Sequence, residues 1–223
     1  MKLISELLTA CSKMLQHNNF ILGIKQMSPM AILQDIAMKT NDLTELKNTV
    51  PPMVAQFAQQ LVAQRRLGKN LEAEFTVVNG RLGGWDTRVQ SYAGLDGYVD
   101  FYAWVDFWAT EFARRAEAAV VQVSMSHSRQ PTCPRFHTDN VPMRFISTLH
   151  GPGTQWLREG DVERVADNAI KQKVDPQIIQ QMPLGSVGFF HGDWGESAST
   201  GGIVHRSPPN KEDRVVLKID KIS

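Results

Sequence analysis

The sequence of 223 residues contains only two cysteines, Cys11 and Cys133. Two thiols so far apart do not build a disulfide framework, and they suit a reduced compartment. Charge is also nearly absent in net terms: 24 Lys and Arg against 23 Asp and Glu leave +1. That excludes the basic footprint of a general nucleic-acid binder. No run approaches the roughly 20 apolar residues of a membrane span. Met1 to Leu8 includes Glu6, with no long apolar run or small-residue cleavage site behind it, so no secretory leader is expected. The expectation is a cytoplasmic protein that binds neither nucleic acid nor membrane. Internal repeats and low-complexity tracts are missing. So are a Gly-x-x-x-x-Gly-Lys-Ser/Thr phosphate loop and a Gly-x-Ser-x-Gly nucleophile elbow, while Gly80 to Gly84 lacks the strand-to-helix setting of a dinucleotide loop.

What is there begins with helices. Leu3, Ile4, Leu7, Leu8, Cys11, Met14 and Leu15 recur at helical spacing and predict a helix over 2–16. Ser28-Pro29 opens a second, with Met30, Ile32, Leu33, Ile36 and Ala37 as its stripe. Pro51-Pro52 opens a third, with Val54, Phe57, Ala58, Leu61 and Val62 on its apolar face and Gly68 as its stop. Phe75 to Val78 reads as a short strand, and Gly80, Gly83 and Gly84 as a loop around Trp85. Residues 98–118 form the strongest helix; Tyr98, Phe101, Tyr102, Val105, Phe107, Trp108 and Phe112 are too many for a solvated one, so it should pack on a sheet.

The period then changes from 3.6 to 2. Strands are expected over 119–125, 135–139, 143–149, 154–157, 185–190, 203–206 and 214–219. Residues 161–182 read as an insertion with a short helix near 166–172. Ser207 to Asp213 reads as a hairpin loop that pairs the strand of His205 with that of Arg214. Helices first and strands afterwards argue α+β, in a single domain over 1–223. Residues 1–118 are expected to be mainly helical, and 119–223 to form a β core.

The chemistry concentrates in Phe136-His137-Thr138-Asp139 and, far downstream, Val204-His205-Arg206-Ser207. Alternate strand residues share a face, so His137 and Asp139 can converge on one ion. A second His from another strand completes a 2-His-1-carboxylate set, which suits Fe(II) with open positions; Zn(II) is compatible too. Arg214, at the start of the last strand, offers a two-pronged grip for a carboxylate such as the far end of 2-oxoglutarate. Lys218 is a weaker candidate for that role. Cys133 is a candidate fourth ligand that would favour zinc. His191-x-Asp193 repeats the spacing in a Gly-rich loop and is the rival metal pair, otherwise an active-site rim. Arg144 is weighed as a salt-bridged strand residue against an anion contact, Trp156 as wall packing, and Thr154 and Gln155 as pocket-lining.

Three blocks, Cys133 to Arg144, Gly151 to Leu157 and Val204 to Pro209, resemble the DUF1826 family of bacterial proteins. Members of that family are similar in pattern to the Fe(II)/2-oxoglutarate oxygenases. The resemblance implies a double-stranded β-helix, a jelly-roll or cupin-like barrel, in the C-terminal half, packed by the N-terminal helices. It also implies metal ligands at His137, Asp139 and His205, but no substrate. One departure stands out: Val216 occupies the place where that superfamily's Arg-x-Ser/Thr grip has its hydroxyl. The expectation is a non-haem Fe(II) oxygenase-like metalloprotein using 2-oxoglutarate. The alternative is a zinc-binding protein of metal homeostasis without redox activity.

Overall fold

The computed structural model describes residues 43–66, 71–165, 169–194, 201–209 and 211–222. The helices expected over 2–16 and 28–37 lie outside the described residues. Helix α1 (Pro52–Ala63) starts where Pro51-Pro52 directs, since a proline in the first turn lacks only an N–H that would be unpaired anyway. It buries Val54, Phe57, Ala58 and Leu61, and it ends at Ala63, before the expected stop. A short helix α2 (Trp85–Val89) and the long α3 (Tyr98–Ala116) follow.

Among the described residues ten strands form two antiparallel sheets: β1 (Thr44–Leu46), β2 (Leu71–Val78), β3 (Arg81–Leu82), β4 (Val120–Ser128), β5 (Met143–His150), β6 (Gln155–Trp156), β7 (Gln180–Gln181), β8 (Val187–His191), β9 (His205–Arg206) and β10 (Arg214–Lys221). The large sheet has the order β1-β8-β5-β10-β4-β2-β3, and the small one β7-β6-β9. Neither is closed. The class is α+β with a mostly antiparallel sheet. Three of the seven large-sheet strands come from the region expected to be helical. Asn79 and Gly80, both at positive φ, make the two-residue turn between β2 and β3 where a loop was expected. Among the described residues no helix is long and apolar enough to cross a membrane.

One face of the large sheet is dry. Val121, Val123 and Met125 of β4 and Val215, Leu217 and Ile219 of β10 point to it, as their period-2 spacing requires. Helix α3 covers it with Trp104 and Trp108, whose rings lie 6.2 and 5.7 Å from that of Phe145. Phe57 of α1 stacks on Phe101 of α3 at 4.3 Å. Such ring pairs each contribute about 0.5–1.5 kcal/mol beyond the area they bury. Trp104 also donates its indole N–H to the Thr49 carbonyl, so its polar atom is satisfied in the core.

The opposite face carries Arg214, Val216, Lys218 and Asp220 of β10 and meets the small sheet. Ile146, Phe190 and Val216 from the large sheet pack with Met182 and Ile203, and Trp156 of β6 leans on this cluster as wall packing. From β4 onward the chain alternates between the sheets: β4 and β5 in the large one, β6 and β7 in the small, then β8, β9 and β10 by turns.

Three expectations are corrected. Residues 203–206 and 214–219 are not a hairpin: β9 pairs β6, whereas β10 pairs β4 and β5, so 207–213 crosses between sheets. The period-2 pattern fixed each strand's faces but not its partner. Second, residues 135–139 are not a regular strand; only His137 makes a bridge, to His205. Pro134 has no N–H to continue a ladder. Third, Ile170 bridges Arg164 and Lys171 donates to the Glu163 carbonyl, so the described residues near 166–172 are extended rather than helical.

Candidate metal centre

His137 and His205 sit directly opposite each other on adjacent antiparallel segments. The His137 N–H donates to the His205 carbonyl at 3.0 Å, and the His205 N–H donates back at 2.9 Å. Residues so paired project from the same face, and the two imidazole centroids are 4.5 Å apart. The segments meet again, shifted by two residues, at Cys133, whose carbonyl accepts from the Ser207 N–H. On the other edge Gln172 replaces a strand: its Oε1 accepts from the Phe136 N–H, and its Nε2 donates to the Phe136 carbonyl. Both backbone groups of the residue before His137 are thereby tied.

Asp139 follows two residues on. Its carbonyl accepts from the Asp193 N–H at 2.7 Å. Gly192 makes that approach possible, because a Cβ there would collide with the Val141 carbonyl oxygen. Of the rival pair, Asp193 therefore clips the Asp139 backbone, while the His191 carbonyl accepts from the Ile203 N–H. Neither side chain belongs to the ligand cluster found among the described residues, which is His137, Asp139 and His205, with ligand atoms within 4.8 Å of one another. Burial pushes the His191 imidazole below its ordinary range. Cys133 is exposed, and its thiol is outside the cluster as well.

The protonation pattern follows from the neighbours. Nδ1 of His137 lies 2.9 Å from the Arg135 carbonyl, and Nδ1 of His205 lies 3.0 Å from the Ile203 carbonyl. A carbonyl only accepts, so each Nδ1 carries the hydrogen and each neutral ring turns a bare Nε2 lone pair inward. These face a carboxylate. Nε2 of His205 is 3.2 Å from Asp139 Oδ2, and Nε2 of His137 is 3.7 Å from Oδ1. Oδ2 is buried without a partner in hydrogen-bonding geometry. Two lone pairs against an anion repel unless a cation, a proton or a metal, lies between them. Donors about 2.1 Å from a shared ion are about 3.0 Å apart at right angles and about 3.4 Å at tetrahedral angles, close to the spacing here. The residues fit a metal.

Arg144 completes the carboxylate's surroundings. Its Nη1 holds Asp139 Oδ1 at 2.6 Å, while Nε and Nη2 grip both oxygens of buried Asp220 at 2.6 and 2.7 Å. One Asp139 oxygen is thus occupied and the other left for a ligand bond. Arg144 is the salt-bridged strand residue the sequence favoured. Burial opposes ionisation of Asp139, but the two imidazoles and Arg144 outweigh it and hold the carboxyl well below the usual range. The carboxylate in turn raises the His137 imidazole above its ordinary value. Burial works against the Arg144 cation too, and its two carboxylates more than offset this.

Arg214 opens onto the same cavity, about 250 Å³ in volume, which His137 and His205 also line. It is not on a strand paired with β9, yet it reaches the site because the two sheets face each other. Its Nε donates to the Pro152 carbonyl at 2.8 Å, and its Nη2 to the hydroxyls of Thr154 at 2.7 Å and Thr148 at 3.3 Å. No carboxylate pairs with it among the described residues. Burial without a counter-charge pushes its pKa down to about 10. Val216 is buried in the apolar cluster, and hydroxyls at the guanidinium come instead from Thr148 and Thr154. Thr148, Gln172 and Asp220 are absent from the sequence expectations, since no local motif marks them. Gln155 accepts from Arg206, whose guanidinium lies 4.3 Å from the Phe136 ring centroid.

Solved structures similar in backbone include a prolyl-4-hydroxylase of Pseudomonas putida, 11% identical, covering 86% of this chain and 98% of its own, with a TM-score of 0.43. A dioxygenase for auxin oxidation from Arabidopsis thaliana, in complex with 2-oxoglutarate, is 11% identical over 81% of this chain and 83% of its own, with a TM-score of 0.49. Its rice counterpart is 16% identical over 86% and 76%, at 0.45. Likenesses this remote say nothing about chemistry, which rests on the side chains themselves. No curated protein matches the sequence. A family model described as a protein of unknown function, DUF1826, matches residues 28–220, spanning the ligand segments, Arg144 and Arg214 alike. The chain belongs to the DUF1826 family.

Proposed function

We propose that this protein is a non-haem Fe(II) oxygenase that takes 2-oxoglutarate as co-substrate, built on a double-stranded β-helix with residues 119–223 as its metal-binding core. One observation carries the reading. Two bare imidazole nitrogens and a partnerless, buried carboxylate oxygen converge at a cavity that also holds an arginine without a counter-charge. The strand alternation between two facing sheets supports the fold. Two nitrogens and one oxygen leave open positions that suit Fe(II), and a bound iron would supply the oxygen-activating redox chemistry. Without a thiolate in the ligand cluster, the feature that favoured zinc is lost.

The chain's own residues have distinct tasks in this reading. His137 and His205 offer Nε2 because backbone carbonyls hold their Nδ1 hydrogens. Arg144, anchored by Asp220, keeps Asp139 ionised and directs Oδ2 to the ion. Arg214 binds the distal carboxylate of 2-oxoglutarate through Nη1, the nitrogen that Pro152, Thr148 and Thr154 do not engage, and those three partners fix its plane. Ile146, Phe190, Ile203 and Val216 make an apolar wall beside His205 that keeps bulk water away from the reacting atoms.

Anaerobic addition of Fe(II) and 2-oxoglutarate should produce the weak visible charge-transfer band of a chelated keto acid. A folded, iron-loaded sample without that band would overturn 2-oxoglutarate use. Metal analysis of the protein as isolated decides between iron and zinc.

A further inference from the structure

Lys218 has no task in the chemistry so far. It stands on the cavity face of β10, two residues past Val216 and two before Asp220, and it lines the cavity with His137, His205 and Arg214. It is only partly exposed. Arg144 nearby is neutralised by Asp139 and Asp220, whereas no carboxylate pairs with Lys218 among the described residues. Its cross-strand neighbours are Ile146 on β5 and Ser124 on β4. This ammonium, partly sheltered beside Ile146 and Val216, has no counter-charge among the described residues, and a bound anion would supply one. Arg214 is four residues away along the strand, roughly 13 Å at about 3.3 Å per residue, so the two cations have separate places in the cavity.

We propose that Lys218 recognises a carboxylate or phosphate on the molecule acted on at this site, which makes the substrate a small organic anion. The inference rests on the reading of the cavity as a metal and 2-oxoglutarate site. With Arg214 taking the co-substrate and Arg206 turned to Gln155 and the Phe136 ring, Lys218 is the lining cation among the described residues that has neither partner nor task. The hydroxyl of Ser126 on β4, which also lines the cavity, offers a neutral donor on the same side. A cavity of about 250 Å³ suits a small molecule better than a polymer.

The test uses the whole chain loaded with Zn(II), which is redox-silent, and saturated with 2-oxoglutarate. Calorimetric titrations with benzoate and phenyl phosphate are compared with benzamide, which matches benzoate in shape but has no charge. Saturable binding of at least one anion is expected, with benzamide about tenfold weaker, the loss of one charge-assisted hydrogen bond. Which anion binds tells carboxylate from phosphate. Lys218→Met should weaken that anion about tenfold, Lys218→Arg should restore it, and 2-oxoglutarate affinity should be the same in all three. Equal binding of benzamide, no saturable binding of either anion, or unchanged affinity in Lys218→Met overturns the proposal. So does an anion whose affinity falls in Arg214→Met but not in Lys218→Met. If the zinc-loaded protein does not bind 2-oxoglutarate, the co-substrate reading fails by itself, and the same titrations without it still test Lys218.

Discussion

The two faces of β10 are built from one stretch of eight residues and do opposite work. Val215, Leu217 and Ile219 are fully buried in an aromatic core, where the Trp104 indole N–H is met by the Thr49 carbonyl. Arg214, Val216 and Lys218 line the cavity, where Arg214 and Lys218 lack counter-ions among the described residues and Asp139 Oδ2 lies close by without a hydrogen-bond partner. A polar group removed from water costs free energy unless it is paired. On the dry face Trp104 meets that condition, and on the cavity face Arg214 and Lys218 do not, which is what a face arranged to receive a ligand should look like.

The sharpest way to separate the two faces is to delete a ligand. Asp139→Ala should abolish tight metal binding, measured as stoichiometry after desalting, with circular dichroism unchanged. Retained stoichiometry would falsify the triad. On the dry face Trp104→Ala should do the converse. It should cost about 3–5 kcal/mol in urea unfolding, through the lost ring packing and the orphaned Thr49 carbonyl, while the folded fraction keeps its metal affinity.

Arg144→Met couples the faces' logic. It leaves Asp220 buried without its partner, so stability should fall by about 3–5 kcal/mol, and metal affinity by about 10–100-fold as Asp139 loses its orientation. Arg214→Met should separate them again. It removes a desolvated cation that lacks a counter-charge, so stability should hold or rise, while 2-oxoglutarate binding weakens. A clear loss of stability would mean that the guanidinium serves the fold.

The smallest effect expected is in pH. In the metal-free protein Asp139 raises the His137 pKa above 6.5, so the proton on Nε2 is held beyond the ordinary imidazole range. Its contribution to stability is complete below about 6.5 and is lost as pH rises through the folded-state value. Metal needs the same nitrogen bare, so metal binding should weaken on acidification from above pH 6.5. Asp139, held low, should not limit binding until far lower pH. A metal-binding curve whose midpoint lies below the ordinary imidazole value would contradict this.

Local physics made much of this legible in advance. Period-2 spacing located strands at β4, β5, β8 and β10, and the aromatic run located α3 and its packing on a sheet. The spacing of His137 and Asp139 gave a shared side, because neighbouring atoms on a chain can go only where the backbone period points them. Partner choice was another matter. That β9 joins β6 while β10 joins β5, that Gln172 ties down Phe136, and that Asp193 clips the Asp139 backbone instead of joining His191 as a ligand are long-range outcomes. Arg144 and Asp220, which hold Asp139 in place, are 76 residues apart. A sequence motif records what a few covalent neighbours can do together. Which distant groups share a buried space is settled only when whole sheets pack, so the three candidate ligands belonged to the sequence and the charges that make them usable belong to the tertiary structure.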